Sequence, residues 1–508
     1  MVHDFLQNAA ARFPDKEALV CQGRRLSYSW LDRAANKMAH ALDDLGVRRG
    51  DRVVLYLNNS VEAVVGIFGA LKAGAVFVVI NRNTKSDKLL YVIKNCRATV
   101  LIADDRAFAT GLTDHLFGDI SSLKAVVCCG DNTIPGTARV RSFAQIQTEC
   151  SPEMLKCSAG ATDLACLIYT SGTTGEPKGV ICEHSNVAFV TQAITRYLKN
   201  NERDVILNVL PLSSSYGLYQ LFATVLSCGT LVLERSFAFP TEILRTMESE
   251  CVTGFAGVPT IYSILLGMDL SGMAFPSLRY MTNAAAGLPV EHVKRLRQIF
   301  PKVELYLMHG LTEVARTMYL PPEQADLRPG STGMAIPGTE IWLEDEHGGR
   351  PGPGEVGELF IKGPHVMRGY WDDPLLTAQH FYAGPRPGER ICRSGDLFRT
   401  DEDGYYYFIS RKDDIIKCRG EKVAPQEVEN VLHAIPGVQD AVVVGVPDPL
   451  LGQAIKAFIV APSANLTAAD VMAFCKSRLE DVMLPQHVEF LENMPRSGNG
   501  KIRKRELG

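Results

Sequence analysis

Nothing in these 508 residues supplies a disulfide framework, a zinc knuckle or a membrane span. The 13 cysteines are odd in number and scattered, with no Cys-x-x-Cys pair, and Cys128 and Cys129 are merely adjacent. That pattern fits reduced thiols in the cytoplasm, not an oxidised scaffold or a metal site. Apolar runs such as residues 73–80 fall well short of the about 20 residues that cross a bilayer, so no transmembrane segment is expected. The opening Met1-Val2-His3-Asp4-Phe5 has no basic stretch leading into an apolar core, so no signal peptide is expected either. A net charge of −4 gives no electrostatic case for nucleic acid or an anionic membrane as a partner. What is present is ordinary globular composition, 46% hydrophobic and 22% charged, in a chain too long for one core. Two or more domains are expected.

Strand and helix signals alternate through the middle of the chain. An apolar run at 164–169 is followed by Ser185, a candidate N-cap for a helix over 187–198. Strand-like 205–210, helical 218–226, strand-like 230–233, a helix opened by Pro240 and strand-like 303–307 come next. This order predicts an α/β fold, with a large multi-layer N-terminal region of mixed sheets. Gly352-Pro353-Gly354-Glu355-Val356-Gly357 matches GxGxxG formally. It carries proline and leads into a strand over 358–361, so it is no dinucleotide fingerprint. After residue 410 the texture changes. A helix over 425–434 starts with proline, strands are expected at 441–446 and 457–460, Thr467 caps a helix to about 479, and a last strand covers 487–491. This reads as a separate small α+β domain.

Residues 167–180 concentrate the chemistry. The loop after the apolar run holds the hydroxyls of Thr170, Ser171, Thr173 and Thr174, the glycines Gly172, Gly175 and Gly179, and one cation, Lys178. Glycines let amides turn inward, and hydroxyls with an ammonium add donors, which suits a polyphosphate. A flexible connector has the same composition. Walker A is excluded, because Lys178 sits between Pro177 and Gly179. The whole ordered string resembles the phosphate loop of the adenylate-forming superfamily, which includes acyl-CoA synthetases, luciferase-like enzymes and the adenylation domains of nonribosomal peptide synthetases.

Four further segments follow in the order that family shows. Met308-His309-Gly310-Leu311-Thr312-Glu313, by itself a possible surface turn, resembles the aromatic-Gly-x-Thr-Glu motif. The resemblance assigns Thr312 to the AMP phosphate and Glu313 to Mg²⁺, with His309 in place of the usual adenine-stacking tyrosine and Gly310 beside it. Arg393-Ser394-Gly395-Asp396, alone compatible with an Asx turn, resembles the motif whose aspartate grips ribose, here Asp396. The charged run from Ser410 to Asp414 resembles the hinge motif, with Arg411 on the nucleotide and Asp413 as pivot. It implies a large domain over 1–410 and a small mobile domain over 411–508. Gly420 would let a pantetheine thiol pass close to the backbone. The basic tail ending Gly498-Asn499-Gly500-Lys501 resembles the last motif, whose lysine, Lys501, reaches the reacting carboxylate and α-phosphate.

Membership in that superfamily implies two steps. A carboxylate attacks the α-phosphorus of MgATP, giving an acyl-adenylate; the small domain then turns and a thiol displaces AMP. CoA is the expected thiol, with a carrier-protein phosphopantetheine as the alternative and oligomers allowed. The acid's pocket is expected around Ser214, Tyr216 and Gly217 and around Ala284, Ala285 and Ala286. No acidic residue lies between Pro211 and Leu226 to pair with an ammonium, which disfavours α-amino acids. An aliphatic acid of short to medium length is expected, or an aryl acid stacked on Tyr216.

Overall fold

The computed structural model describes residues 1–105, 120–130, 140–157, 159–171, 176–462, 465–496 and 502–507. Among these the chain forms three sheets of 14, 8 and 5 strands. A large N-terminal part carries the first two, and the smaller C-terminal part carries the third, whose strands begin at Ile416. This is a mixed α/β architecture with a smaller α+β unit after it.

The 14-stranded sheet changes character along its length. Strands Val205–Asn208, Thr230–Leu233, Gly254–Gly257, Tyr280–Asn283 and Glu304–His309 run parallel, as alternating strands and helices require. At Glu304–His309 the sense reverses: Met318–Leu320 pairs antiparallel with it, and Ser331–Ala335, Tyr406–Arg411, Arg390–Thr400 and Gly357–Lys362 continue antiparallel. The sequence places His309 just past a strand over 303–307. It is instead that strand's last residue, because it pairs with Met318. The parallel strands are buried along almost every position, as sheets covered on both faces demand.

The eight-stranded sheet centres on strands Arg52–Leu57, Val76–Asn81 and Ala98–Asp104, and one side continues through the hairpin Leu164–Ser171 and Pro177–Glu183 to the edge strand Gly369–Tyr370. Helix positions follow local chemistry with some shifts. The helix expected to start after Ser185 spans His184–Tyr197, with Glu183 at its N-cap. Asn186 Oδ1 accepts the Glu183 amide at 3.0 Å, an anchor that Ser185, already inside the first turn, cannot provide. The helix expected over 218–226 spans Ser215–Leu226, because the Ser214 hydroxyl caps it by accepting the Gly217 amide at 3.2 Å.

The small unit packs helices Pro425–His433 and Ala468–Lys476 on a sheet whose long hairpin, Asp440–Asp448 with Gly452–Val460, outruns the short strands expected there. Thr467 caps the second helix in a reciprocal box with Asp470. The unit touches the large part through Ser263 Oγ, which donates to the Gln439 carbonyl at 2.8 Å, and through His292 against His433, with centroids 5.3 Å apart.

Candidate active site

The phosphate segment is less of a loop than its composition suggests. Thr170 faces Lys178 and Ser171 faces Pro177 across an antiparallel hairpin, so only the short stretch between Ser171 and Pro177 connects the strands. Gly172, Thr173 and Thr174, with the Ser171 side chain, lie outside the described residues. Thr170 and Lys178 are half-buried at the hairpin's end. Gly179 is explained by crowding: a Cβ there would stand 3.1 Å from the Tyr169 ring and 3.4 Å from Trp371 Cβ.

Glu313 is tied to this hairpin. Its Oε1 accepts the Tyr370 hydroxyl at 2.6 Å, and its backbone carbonyl accepts the Met367 amide. Tyr370 sits on the two-residue strand Gly369–Tyr370 that pairs with Pro177–Glu183. Burial, with the Glu313 charge beside it, pushes the Tyr370 phenol well up, so it stays a donor. Gly310, before these residues, cannot be anything larger: a Cβ would meet the Ala315 carbonyl oxygen at 2.4 Å. Thr312 is half-buried.

Asp396 reaches the same place from the antiparallel part of the sheet. Between Glu358 and Phe360 the pairing register slips, so that the strand facing them bulges at Ser394-Gly395-Asp396, with Gly395 at φ +73°. Ser394 Oγ fixes the bulge by donating to the Leu359 carbonyl at 2.8 Å and accepting the Asp396 amide at 3.0 Å. The buried carboxylate then meets His309, whose Nε2 lies 3.0 Å from Oδ2, while Nδ1 lies 2.6 Å from Thr317 Oγ1. Arg411 Nε stands 3.0 Å from Asp396 Oδ1 as an ion pair, off hydrogen-bonding alignment, so that oxygen keeps acceptor capacity. The Asp396 charge holds the Arg411 guanidinium above its ordinary range against the opposing cost of burial. His309 also lies near-parallel to the Phe408 ring, with centroids 6.3 Å apart.

His309, Thr312, Glu313, Asp396 and Arg411, spread over a hundred residues of sequence, thus meet where the large sheet reverses sense, with the Thr170–Lys178 hairpin joined through Tyr370. Sequence reading missed Tyr370, Thr317 and the triad in which Glu358 takes both Arg393 (2.7 Å) and Lys412 (3.0 Å). None has a local motif; the partners are distant in sequence. Among the described residues no group of three or more His, Cys, Asp or Glu side chains forms a metal cage. Glu313, with one oxygen held by Tyr370 and the other without a partner among the described residues, fits a magnesium ion that takes its remaining ligands from phosphates and water.

The residues assigned to the acid divide. Tyr216 is buried, its hydroxyl 2.6 Å from Thr282 Oγ1, and the Arg316 guanidinium lies 5.3 Å from its ring centroid, on a face that an aryl acid would otherwise use. Ser214 is occupied as a helix cap. Gly217 lies inside the helix, where a Cβ would stand 2.3 Å from the Pro211 carbonyl oxygen. Ala284 is buried, Ala285 holds φ +77°, and Ala286 is exposed, its carbonyl accepting Asn283 Nδ2 at 3.0 Å. A cavity of about 270 Å³ opens nearby, lined by Ser213, Leu212, Phe237, Val258, Thr260 and Ile264.

Asp413 and Gly420 are exposed. Arg419 (φ +54°) and Gly420 (φ +85°) form the two-residue turn between Ile416–Cys418 and Glu421–Val423, the paired positive φ that such hairpins need. Lys501 lies outside the described residues. On either side of its segment, Arg496 and Ile502 pair as a bridge, and Arg496 contacts Asp440 and Thr260, the latter a wall of the cavity.

Comparison with known proteins gives the family and the fold. The chain matches the family model described as AMP-binding enzyme over residues 6–371, and the AMP-binding enzyme C-terminal domain over residues 427–501. It is 31% identical over 536 residues to a long-chain-fatty-acid–CoA ligase of Bacillus subtilis, covering all of this chain and 94% of that protein. It is also 31% identical over 512 residues to a linear gramicidin synthase of Brevibacillus parabrevis, where all of this chain covers 6% of a far longer one. In three dimensions it superimposes on the anthranilate CoA ligase AuaEII in complex with anthranoyl-AMP, with a TM-score of 0.92 and 28% identity, over 100% of this chain and 96% of that one. Among the described residues no helix is long and apolar enough to cross a membrane.

Proposed function

The chain belongs to the AMP-binding enzyme family, and from that premise we propose how its residues carry out an acid–thiol ligation. A carboxylic acid is activated by ATP to an acyl-adenylate and passed to a thiol, with CoA as the acceptor. The observation that carries the residue assignment is the meeting of Asp396, His309, Arg411, Thr312 and Glu313 at the reversal of the large sheet, tied through Tyr370 to the threonine-rich hairpin.

Asp396 Oδ1, with unused acceptor capacity, takes ribose hydroxyls. His309, held in plane by Thr317 and Asp396, lines the adenine side. The hairpin donors at Thr170, Ser171, Gly172, Thr173, Thr174 and Lys178 hold the phosphates. Glu313 carries magnesium, which neutralises phosphate charge when bound, and Thr312 donates to the α-phosphate. Acid and triphosphate are both anions, so their approach needs a cation between them, and Lys501 supplies it. The acid's oxygen forms a bond to the α-phosphorus as pyrophosphate leaves. Rotation about Asp413 then withdraws Lys501 and brings Gly420 to the thiol's path, and the thiol sulfur displaces AMP. All 13 cysteines are free, in keeping with work in the reducing cytoplasm.

The test is pyrophosphate release over a panel of carboxylic acids, followed by thioester detection with CoA and, separately, with a phosphopantetheinylated carrier protein. Acyl-CoA as product supports the proposal. Thioester on the carrier alone selects the second reading, which the likeness to a gramicidin synthase favours. ADP and orthophosphate as products would overturn both.

A further inference from the structure

Among the described residues, buried charges come in pairs, with one exception. Lys72 meets Asp32 at 2.7 Å, Asp204 meets Arg279 at 2.7 Å, Glu183 meets Arg390 at 3.1 Å, and Glu358 meets Arg393 at 2.7 Å. Asp396 and Glu429 meet Arg411 and Lys504 at 3.0 and 2.9 Å. Arg316 is 3% exposed, yet among the described residues it makes no ion pair, and its Nε has no hydrogen-bond partner.

Its surroundings offer it neutral phenols, that of Tyr197 within hydrogen-bonding reach, but among the described residues no carboxylate to match its charge. The guanidinium lies over the Tyr216 ring and acts on the phenols of Tyr197, Tyr216 and Tyr219, easing the upward push that burial gives each of them. A cation–π contact offsets only part of what burying an unpaired charge costs. The Tyr216 hydroxyl is spent on Thr282, and the Tyr197 hydroxyl donates to Met308 Sδ at 3.1 Å. The Tyr219 hydroxyl, on which Arg316 also acts, lacks a hydrogen-bond partner too.

The position of Arg316 matters as much as its isolation. It stands three residues beyond Glu313, next to Thr317, which holds His309. It lies over the ring of Tyr216, a residue that the family resemblance assigns to the acid's pocket. An anion delivered here would be part of the acid being activated.

We propose that Arg316 determines specificity by binding a second carboxylate on the substrate, so that this enzyme activates dicarboxylic acids at one end. This rests on the acid-activation reading above. One carboxylate forms the bond to the α-phosphorus as pyrophosphate departs; the other stays ionised against Arg316. The same cation repels an α-ammonium group, in line with the absence of acidic residues between Pro211 and Leu226.

The experiment compares kcat/KM for pyrophosphate release across straight-chain dicarboxylates and monocarboxylates of matched length, in the wild type, Arg316→Met and Arg316→Lys. The wild type should favour a diacid over its monoacid partner by tenfold or more. Arg316→Met should cancel or invert that preference, through a fall for the diacid at least tenfold larger than the fall for the monoacid, while Arg316→Lys keeps part of it. If the methionine variant fails to fold, the wild-type preference decides, together with its affinity for a sulfamoyl adenylate mimic bearing a free terminal carboxylate against the same mimic as a methyl ester. Preference for monoacids at every length, or an equal fall for both acids in Arg316→Met, overturns the proposal and leaves acid activation standing. Pyrophosphate release with no acid at all overturns both.

Discussion

In the part of the cleft proposed for the nucleotide, polar groups hold one another, save for Asp396 Oδ1, the oxygen left for ribose. Asp396 is braced by His309 and Arg411, Glu313 by Tyr370, and Lys412 by Glu358. Around Tyr216, in the part proposed for the acid, Arg316 and Tyr219 each bury an atom with no hydrogen-bond partner. A site that meets the same ligand in every turnover can be satisfied in advance, at little cost in reorganisation. A site that must tell one acid from another leaves its recognition groups waiting, because rejecting the wrong acid depends on their going unpaired. On the proposed reading, the difference separates the shared chemistry of this family from the selectivity of this member.

The contrast yields ordered expectations. Removal of the cation between the two anions should cost most: Lys501→Ala should lower acid-dependent ATP–pyrophosphate exchange by roughly 10²–10³-fold or more, while thiolysis of a supplied adenylate persists. Retained exchange would remove the lysine from the first step. Asp396→Ala takes away the ribose acceptor and strands His309 and Arg411. It should raise the KM for ATP by about 10-fold to 10²-fold, a charged hydrogen bond being worth roughly 1.5–3 kcal/mol; a changed KM for the acid alone would contradict the division of the cleft.

Tyr370→Phe is a finer test. It removes only the 2.6 Å hydrogen bond that orients Glu313, so the midpoint of a magnesium titration should rise several-fold with KM for the acid unchanged. An unmoved titration would make Tyr370 a packing residue. The smallest effect on activity comes from groups outside both halves. Burial pushes His184 and His433 down to about 4, and His292 and His365 down to about 3. Their folded-state values lie below the ordinary 6.5 or so, so the unfolded chain takes up these protons first. Stability should therefore be fully present above about pH 6.5 and fall as pH drops towards 4. A denaturation midpoint flat across that window would contradict it.

Legibility in the sequence followed the same line. Thr312, Glu313 and Asp396 stood in ordered motifs, and the Thr467 cap and the Pro425 helix start were readable from local rules. Tyr370 was not, because it meets Glu313 across 57 residues through a two-residue strand with no signature. Thr170 and Lys178 read as loop residues because glycine and hydroxyl content hides a hairpin whose register is set by neighbouring strands. Ser214 and Gly217 looked like pocket residues, yet one caps a helix and the other lets the Pro211 turn approach. Arg316 could have been noticed as a lone cation in the apolar stretch 314–320, but only burial without an ion pair gives it meaning.

If Asp396 and the hairpin hold opposite ends of one nucleotide, a crystal structure with a non-hydrolysable acyl sulfamoyl adenosine shows it most directly. Ribose hydroxyls on Asp396, the adenine beside His309 and the sulfamoyl group near Thr312 are the expected result. A nucleoside bound elsewhere, with the Asp396–Arg411 pair closed and no ligand between the sheet reversal and the hairpin, would contradict it.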